Sequence, residues 1–133
     1  MNGDQSSSIR VERLSDAGGA SIAGVDLSAP LSTAEIAVIR DAFHEYGMIV
    51  IRGQDIDGGD QLRFCEYMGG TATRGKPADQ RAGDGDASYG GSVHLVTNLT
   101  EDGKPLGSFG DGEVWFHHYG SFKEIPYAAT VLY

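Results

Sequence analysis

Cysteine is almost absent: Cys65 is the only one in 133 residues. No internal disulfide can form, which predicts a reducing compartment, the cytoplasm. Basic residues are also scarce, 10 against 19 acidic ones, for a formal net charge of -9 and a pI near 4.7. Phosphate backbones and anionic lipid surfaces repel such an exterior, so neither nucleic acid nor a membrane is expected as a partner. No apolar run exceeds the four residues of Met48-Ile49-Val50-Ile51, far short of the roughly 20 that span a bilayer. The first eight residues have neither a basic n-region nor an apolar h-region, which predicts no export leader. No internal repeat, heptad pattern, or phosphate-cradling glycine motif after a strand is visible, so nucleotide binding has no support.

The chain has the length of one domain. Residues 1–8 are polar and aperiodic, the composition of a mobile tail, which leaves 9–133 as the folded part. Ile9-Arg10-Val11-Glu12-Arg13-Leu14 alternates apolar and charged residues, as a strand with one wet face does. Ser32 and Glu35 have the spacing of a capping box. Ile36, Ile39, Phe43 and Tyr46 then form one apolar stripe before Gly47, which predicts a helix over 33–46. Met48 to Ile51 reads as a strand buried on both faces. A second helix is expected over 58–68, capped by Asp57 or Asp60, with Leu62, Cys65 and Met68 as its apolar row and Gly69-Gly70 as its stop.

Glycine is the most conspicuous excess, with 20 residues, many of them between Gly69 and Gly120. The stretch 71–92 is too polar for a core and is read as a long loop. Strands are expected at 93–99, 113–118 and 127–133, with a hairpin turn at Glu101-Asp102-Gly103-Lys104. Strand, helix, strand, helix and then strands alone predict an α+β fold whose later part is a sandwich or barrel.

The densest cluster of reactive side chains is Asp111-Gly112-Glu113-Val114-Trp115-Phe116-His117-His118-Tyr119. In an extended segment Glu113, Trp115, His117 and Tyr119 share one face, which gathers a carboxylate, an imidazole and a phenol. That donor set suits Fe, Zn or Mn. The same residues also suit a strand end with backbone-bonded histidines and packed aromatics, the commoner use of such a cluster. His94 could reach such a site or lie exposed, and Glu113 could meet a substrate or anchor a turn. Arg74, Lys76 and Arg81 could meet an anion or simply keep the loop soluble. Cys65 is expected to pack as a small hydrophobe. Gly83-Asp84-Gly85-Asp86 lacks the remaining ligands of a calcium loop.

The segment from Glu113 to Phe122, followed by Pro126 and Ala129 to Tyr133, resembles the taurine dioxygenase family of Fe(II)/2-oxoglutarate-dependent oxygenases. Further pieces occur in the family's order: Gly24-Val25-Asp26-Leu27-Ser28 with Pro30-Leu31-Ser32, then Ile49-Val50-Ile51-Arg52-Gly53-Gln54, then Asn98 through Gly112. The resemblance runs from about residue 17 to 133. It implies a double-stranded β-helix, a clavaminate-synthase-like jelly roll with flanking helices, of which this chain is the N-terminal portion. It also implies Fe(II) held by two histidines and one carboxylate, with 2-oxoglutarate as co-substrate. By that resemblance His117 is the first metal ligand, Tyr119 stands at the place of the family's Asp, and His118 faces away, either packing or supporting the ligands from behind. The family's distal His and its 2-oxoglutarate-gripping Arg fall beyond any residue of this chain.

The expected function is therefore hydroxylation of a small organic molecule with release of succinate and CO2. His117 and Tyr119 are the metal-site candidates, and Glu113 and His94 the substrate-side candidates. A homo-oligomer or a completing chain is the expected partner. The alternatives are a non-catalytic relative acting as a binding or regulatory partner, and a metal module built from His94, Glu113 and His117 without 2-oxoglutarate.

Overall fold

The computed structural model describes residues 9–71, 93, 96–105, 116, 118 and 120–133. The chain forms two units, 1–60 and 61–133.

In the first unit, β1 (Arg10–Ser15) and β2 (Gly18–Ala23) form an antiparallel hairpin in which Arg10 faces Ala23 and Ser15 faces Gly18. The Arg13 guanidinium ties down the turn, donating to the carbonyls of Ser15 and Asp16 at 2.8 Å each. β1 follows the expected alternation only in part. Val11 is half-buried, but Leu14 falls on the same side as Arg10 and Glu12 and is 44% exposed.

Helix α1 (Thr33–Tyr46) carries both predicted signals. The Glu35 amide donates to Ser32 Oγ at 3.2 Å, and the Ser32 amide donates to the Glu35 carboxylate at 2.7 Å. Gly47 ends the helix in the left-handed conformation (φ 71°), its amide bonded to the Phe43 carbonyl. That conformation costs an L side chain about 1–2 kcal/mol and glycine almost nothing. The chain then enters β3 (Ile49–Ile51), which pairs in parallel with β2, Ala20 opposite Ile49 and Ile22 opposite Ile51. A β–α–β crossover thus lies inside the sheet, whose order is β1-β2-β3.

β2 sits in the middle, and the core forms on it: Ala20 and Ile22 are almost fully buried, as are Ile39 and Ala42 of α1, the helix that packs on that strand. β3 was expected to be buried on both faces, yet its three residues are only half-buried and Met48 is 55% exposed. Its place at the sheet edge is the reason.

Gln54 joins two distant loops of this unit. Its Oε1 accepts from the Leu27 amide at 2.8 Å, and its Nε2 donates to the carbonyls of Val25 at 3.2 Å and Arg52 at 3.1 Å. Asp26 stiffens the same turn, its Oδ1 accepting from the Ser28 amide and hydroxyl. The hydroxyl and then the amide of Ser28 hold that carboxyl below its usual range.

Helix α2 (Gly58–Tyr67) begins with a reciprocal pair: the Asp60 amide donates to the Asp57 carboxylate at 2.9 Å and the Asp57 amide to the Asp60 carboxylate at 3.2 Å. Both expected capping residues are used. In the second unit the helix ends as expected, the Gly70 amide closing onto the Cys65 carbonyl. The expected apolar row is corrected: Phe64 is the buried residue of α2, while Leu62, Cys65 and Met68 are half-buried. A bulky ring buries more apolar area than a thiol or thioether and takes the inward place.

Strands β4 (Thr100–Glu101) and β5 (Lys104–Pro105) pair antiparallel around Asp102 and Gly103, both at positive φ. This is the predicted hairpin, but shorter. Val93 and residues 96–99, expected as strand, lie outside any ladder, as do Phe116, His118 and residues 127–133. Apolar composition alone makes no strand without a hydrogen-bonded neighbour. In the last stretch the Val131 carbonyl accepts from the Gln61 side-chain amide at 3.2 Å. No helix among the described residues is long and apolar enough to cross a membrane.

Candidate functional site

In sequence the reactive cluster Glu113 to Tyr119 lies between the β4–β5 hairpin and a turn that begins at Gly120. Of the site candidates read from the sequence, His94, Glu113, His117 and Tyr119 all lie outside the described residues, as does most of the loop 71–92. His118 is exposed, so of its two expected roles it does not take that of packing, and Phe116, two residues before it in sequence, is fully exposed. Among the described residues no group of three His, Cys, Asp or Glu could hold a metal ion.

The exit of the cluster is well defined. Gly120 has φ +65°, and a β-carbon there would stand 2.6 Å from Cδ2 of the Tyr127 ring. The Lys123 amide donates to the Gly120 carbonyl at 3.0 Å. Its ammonium lies 4.3 Å from the Tyr127 ring centroid, within the distance at which a cation is drawn to an aromatic face. Gly120 is buried, whereas Ser121, Phe122, Glu124 and Ile125 are exposed.

The two N-terminal pieces that carry the resemblance meet in the first unit, because the Gln54 amide bonds both the 25–27 loop and the 52–54 turn. Gln54, Lys123 and Tyr127 were not singled out for any role in the sequence. No periodicity marks a side-chain amide that satisfies backbone groups about 27 residues away. An aromatic seven residues after a glycine carries no local signal either.

Elsewhere in the first unit, Arg13, Asp16, Ala17, Gly18, Glu45 and Tyr46 line an open depression of about 320 Å³. Glu45 raises the Tyr46 phenol pKa, first by hydrogen bonding and then by its charge. Arg13 is committed to its own turn and to Asp16 at 3.6 Å. Burial, and then the Glu66 charge, push the Cys65 thiol pKa up.

These features define a mixed α/β chain in which the motif pieces of an oxygenase family keep their order and, in the first unit, are bonded to one another. The family model described as "Taurine catabolism dioxygenase TauD, TfdA family" matches residues 10–133. The chain belongs to that family.

Among solved structures it is similar to a taurine dioxygenase from Burkholderia xenovorans, at 32% identity over 49% of this chain and 24% of that one, with a TM-score of 0.47. A protein assigned as an alpha-ketoglutarate-dependent 2,4-D dioxygenase from the same organism is 31% identical over 62% of this chain and 34% of that one, with a TM-score of 0.48. AAD-2, crystallised with Mn(II) and N-oxalylglycine, is 27% identical over 47% of this chain and 25% of that one, with a TM-score of 0.46. The matched parts thus span about a quarter to a third of these solved chains. A search of curated proteins found no match.

Proposed function

We propose that the protein is, or forms part of, an Fe(II)/2-oxoglutarate-dependent dioxygenase of the cytoplasm that hydroxylates a small organic substrate. The observation that carries the reading is the family match over residues 10–133. The Mn(II) and N-oxalylglycine bound to AAD-2 point the same way, since N-oxalylglycine has the carbon skeleton of 2-oxoglutarate with a nitrogen in the chain. The fold that goes with the reading is a double-stranded β-helix with flanking helices.

His117 fits an iron(II) ion as a neutral imidazole donor whose second ring nitrogen must be held by a neighbour. Tyr119 at the carboxylate's place offers a phenol whose ordinary pKa is about 10, so it donates as an anion only where a bound cation lowers that value. Fe(II) with 2-oxoglutarate, when bound, supplies the oxidation: O2 and 2-oxoglutarate are consumed, one oxygen atom enters a substrate C–H bond, and the other enters succinate as CO2 leaves. Glu113 and His94 are the residues we assign to the substrate side of the site. The remaining ligands come from further polypeptide or from a completing chain, a second copy included.

The test incubates the chain with Fe(II), ascorbate, 2-oxoglutarate and a panel of sulfonates, aryloxyacids and amino acids, and measures succinate. Succinate above the metal-free control supports the reading. No succinate together with no Mn(II) binding overturns it for this chain. Tyr119→Asp is expected to strengthen Mn(II) binding, and an unchanged affinity removes position 119 from the metal site.

A further inference from the structure

The β4–β5 hairpin turns on an Asp-Gly pair whose chemistry the oxygenase reading does not use. Asp102 has φ 50° and is the one non-glycine residue at positive φ among the described residues; Gly103 follows at φ 75°. Both are exposed, and a β-carbon at Gly103 would meet nothing within 4 Å, so the peptide between them stands open to water. Across the hairpin Glu101 pairs with Lys104 and Thr100 with Pro105. Proline has no amide to donate, which leaves Lys104 as the sole amide of β5 able to bond β4. Two short strands without a third are marginal in water and belong to the parts of a fold that open locally.

The other Asp-Gly pair among the described residues, Asp57-Gly58, is held differently. The Asp57 carboxylate accepts from the Asp60 amide at 2.9 Å, and the Asp57 amide donates to the Asp60 carboxylate at 3.2 Å. Gly58 is half-buried as the first residue of α2. No comparable bond engages the Asp102 carboxylate among the described residues.

We propose that Asp102 is a site of spontaneous conversion to isoaspartate. When the hairpin opens, the Gly103 nitrogen attacks Cγ of the protonated Asp102 carboxyl, and glycine offers no side chain to hinder the approach. The N–Cγ bond forms, and the amide proton leaves with the carboxyl hydroxyl as water, giving a five-membered succinimide. Water then adds back. Cleavage of the N–Cγ bond restores aspartate; cleavage of the bond from nitrogen to the main-chain carbonyl carbon leaves the backbone running through Cβ, as isoaspartate with a free α-carboxyl. No oxidant, metal or 2-oxoglutarate takes part, so the site goes beyond the oxygenase reading and stands whether or not that reading does.

The experiment holds the full chain in mildly acidic buffer at physiological temperature for several weeks, in parallel with a sample in guanidinium chloride. Peptide mapping with electron-transfer fragmentation then measures isoaspartate separately at positions 57 and 102, and loss of the mass of one water marks the succinimide. At position 57 the native chain is expected to react about fivefold more slowly than the denatured one, the population factor of releasing a typical helix cap. At position 102 the native and denatured rates are expected to match. A native chain that slows position 102 as much as position 57 overturns the proposal, because the hairpin then protects its turn. Absence of isoaspartate at position 102 in the native chain, while the denatured chain forms it, overturns it as well.

Discussion

Replacing Gln54 with leucine leaves an apolar side chain of similar bulk and removes the hydrogen bonds to Leu27, Val25 and Arg52 at once. The 2.8 Å bond from the part-buried Leu27 amide matters most. A buried N–H left without an acceptor costs about 1–3 kcal/mol. The Val25 carbonyl, also part-buried, loses a 3.2 Å bond, for roughly 0.5–1 kcal/mol. The Arg52 carbonyl is exposed and water replaces its partner, so that bond adds almost nothing. The expected loss is about 2–3 kcal/mol, or roughly 1–2 M in urea midpoint at the slope usual for a small protein. The assay is urea unfolding followed by far-UV circular dichroism. Gln54→Glu is the companion variant: it keeps an acceptor for the Leu27 amide but sets a carboxylate against two carbonyls, and it should recover part of the loss once acid protonates it. A midpoint shift worth less than about 0.5 kcal/mol for Gln54→Leu, within the range of ordinary surface changes, would refute the assignment of Gln54 as the tie between the loops.

Two further outcomes are expected. The backbone amide and then the hydroxyl of Ser32 lower the Glu35 pKa in the folded state. Its stabilisation is therefore present above the unfolded carboxylate pKa and is lost as pH falls through the lower folded value; urea midpoints between about pH 6 and pH 3 should drop less steeply in Glu35→Gln than in the parent. Cys65, with its thiol pKa raised by burial and then by Glu66, should alkylate with iodoacetamide more slowly in the folded chain than in urea at the same mildly alkaline pH, and equal rates would remove burial as the cause.

The sequence carried α1 almost to the residue because every signal for it is local: the Ser32–Glu35 box, the apolar stripe and the Gly47 stop act within one or two turns. The same holds for the Asp57–Asp60 start of α2 and the Asp102-Gly103 hairpin. β2 went unseen because Gly18-Gly19-Ala20-Ser21 has poor strand propensity. Its small side chains suit a central strand under α1, where Ala20 is fully buried. The strands expected near the C-terminus were inferred from apolar composition, whereas a ladder depends on a partner distant in sequence. Of the candidate site, the family and the order of its motif pieces could be read from the sequence. The contacts made by Gln54 and Tyr127 could not, since each satisfies a neighbour that only the folded chain brings close.

The β2–α1–β3 crossover bears on the order of events during synthesis. The β1–β2 and β2–β3 pairings and the Gln54 bonds to Val25, Leu27 and Arg52 all join residues within the first unit, which ends at Asp60. At the elongation rates of living cells, the 73 residues that follow (133 minus 60) take roughly 4–15 s to add, long compared with the microsecond formation of helices and hairpins. The ribosome thus gives the crossover a head start, and the residues read as metal-binding emerge from the tunnel after the contacts of the first unit have had time to form.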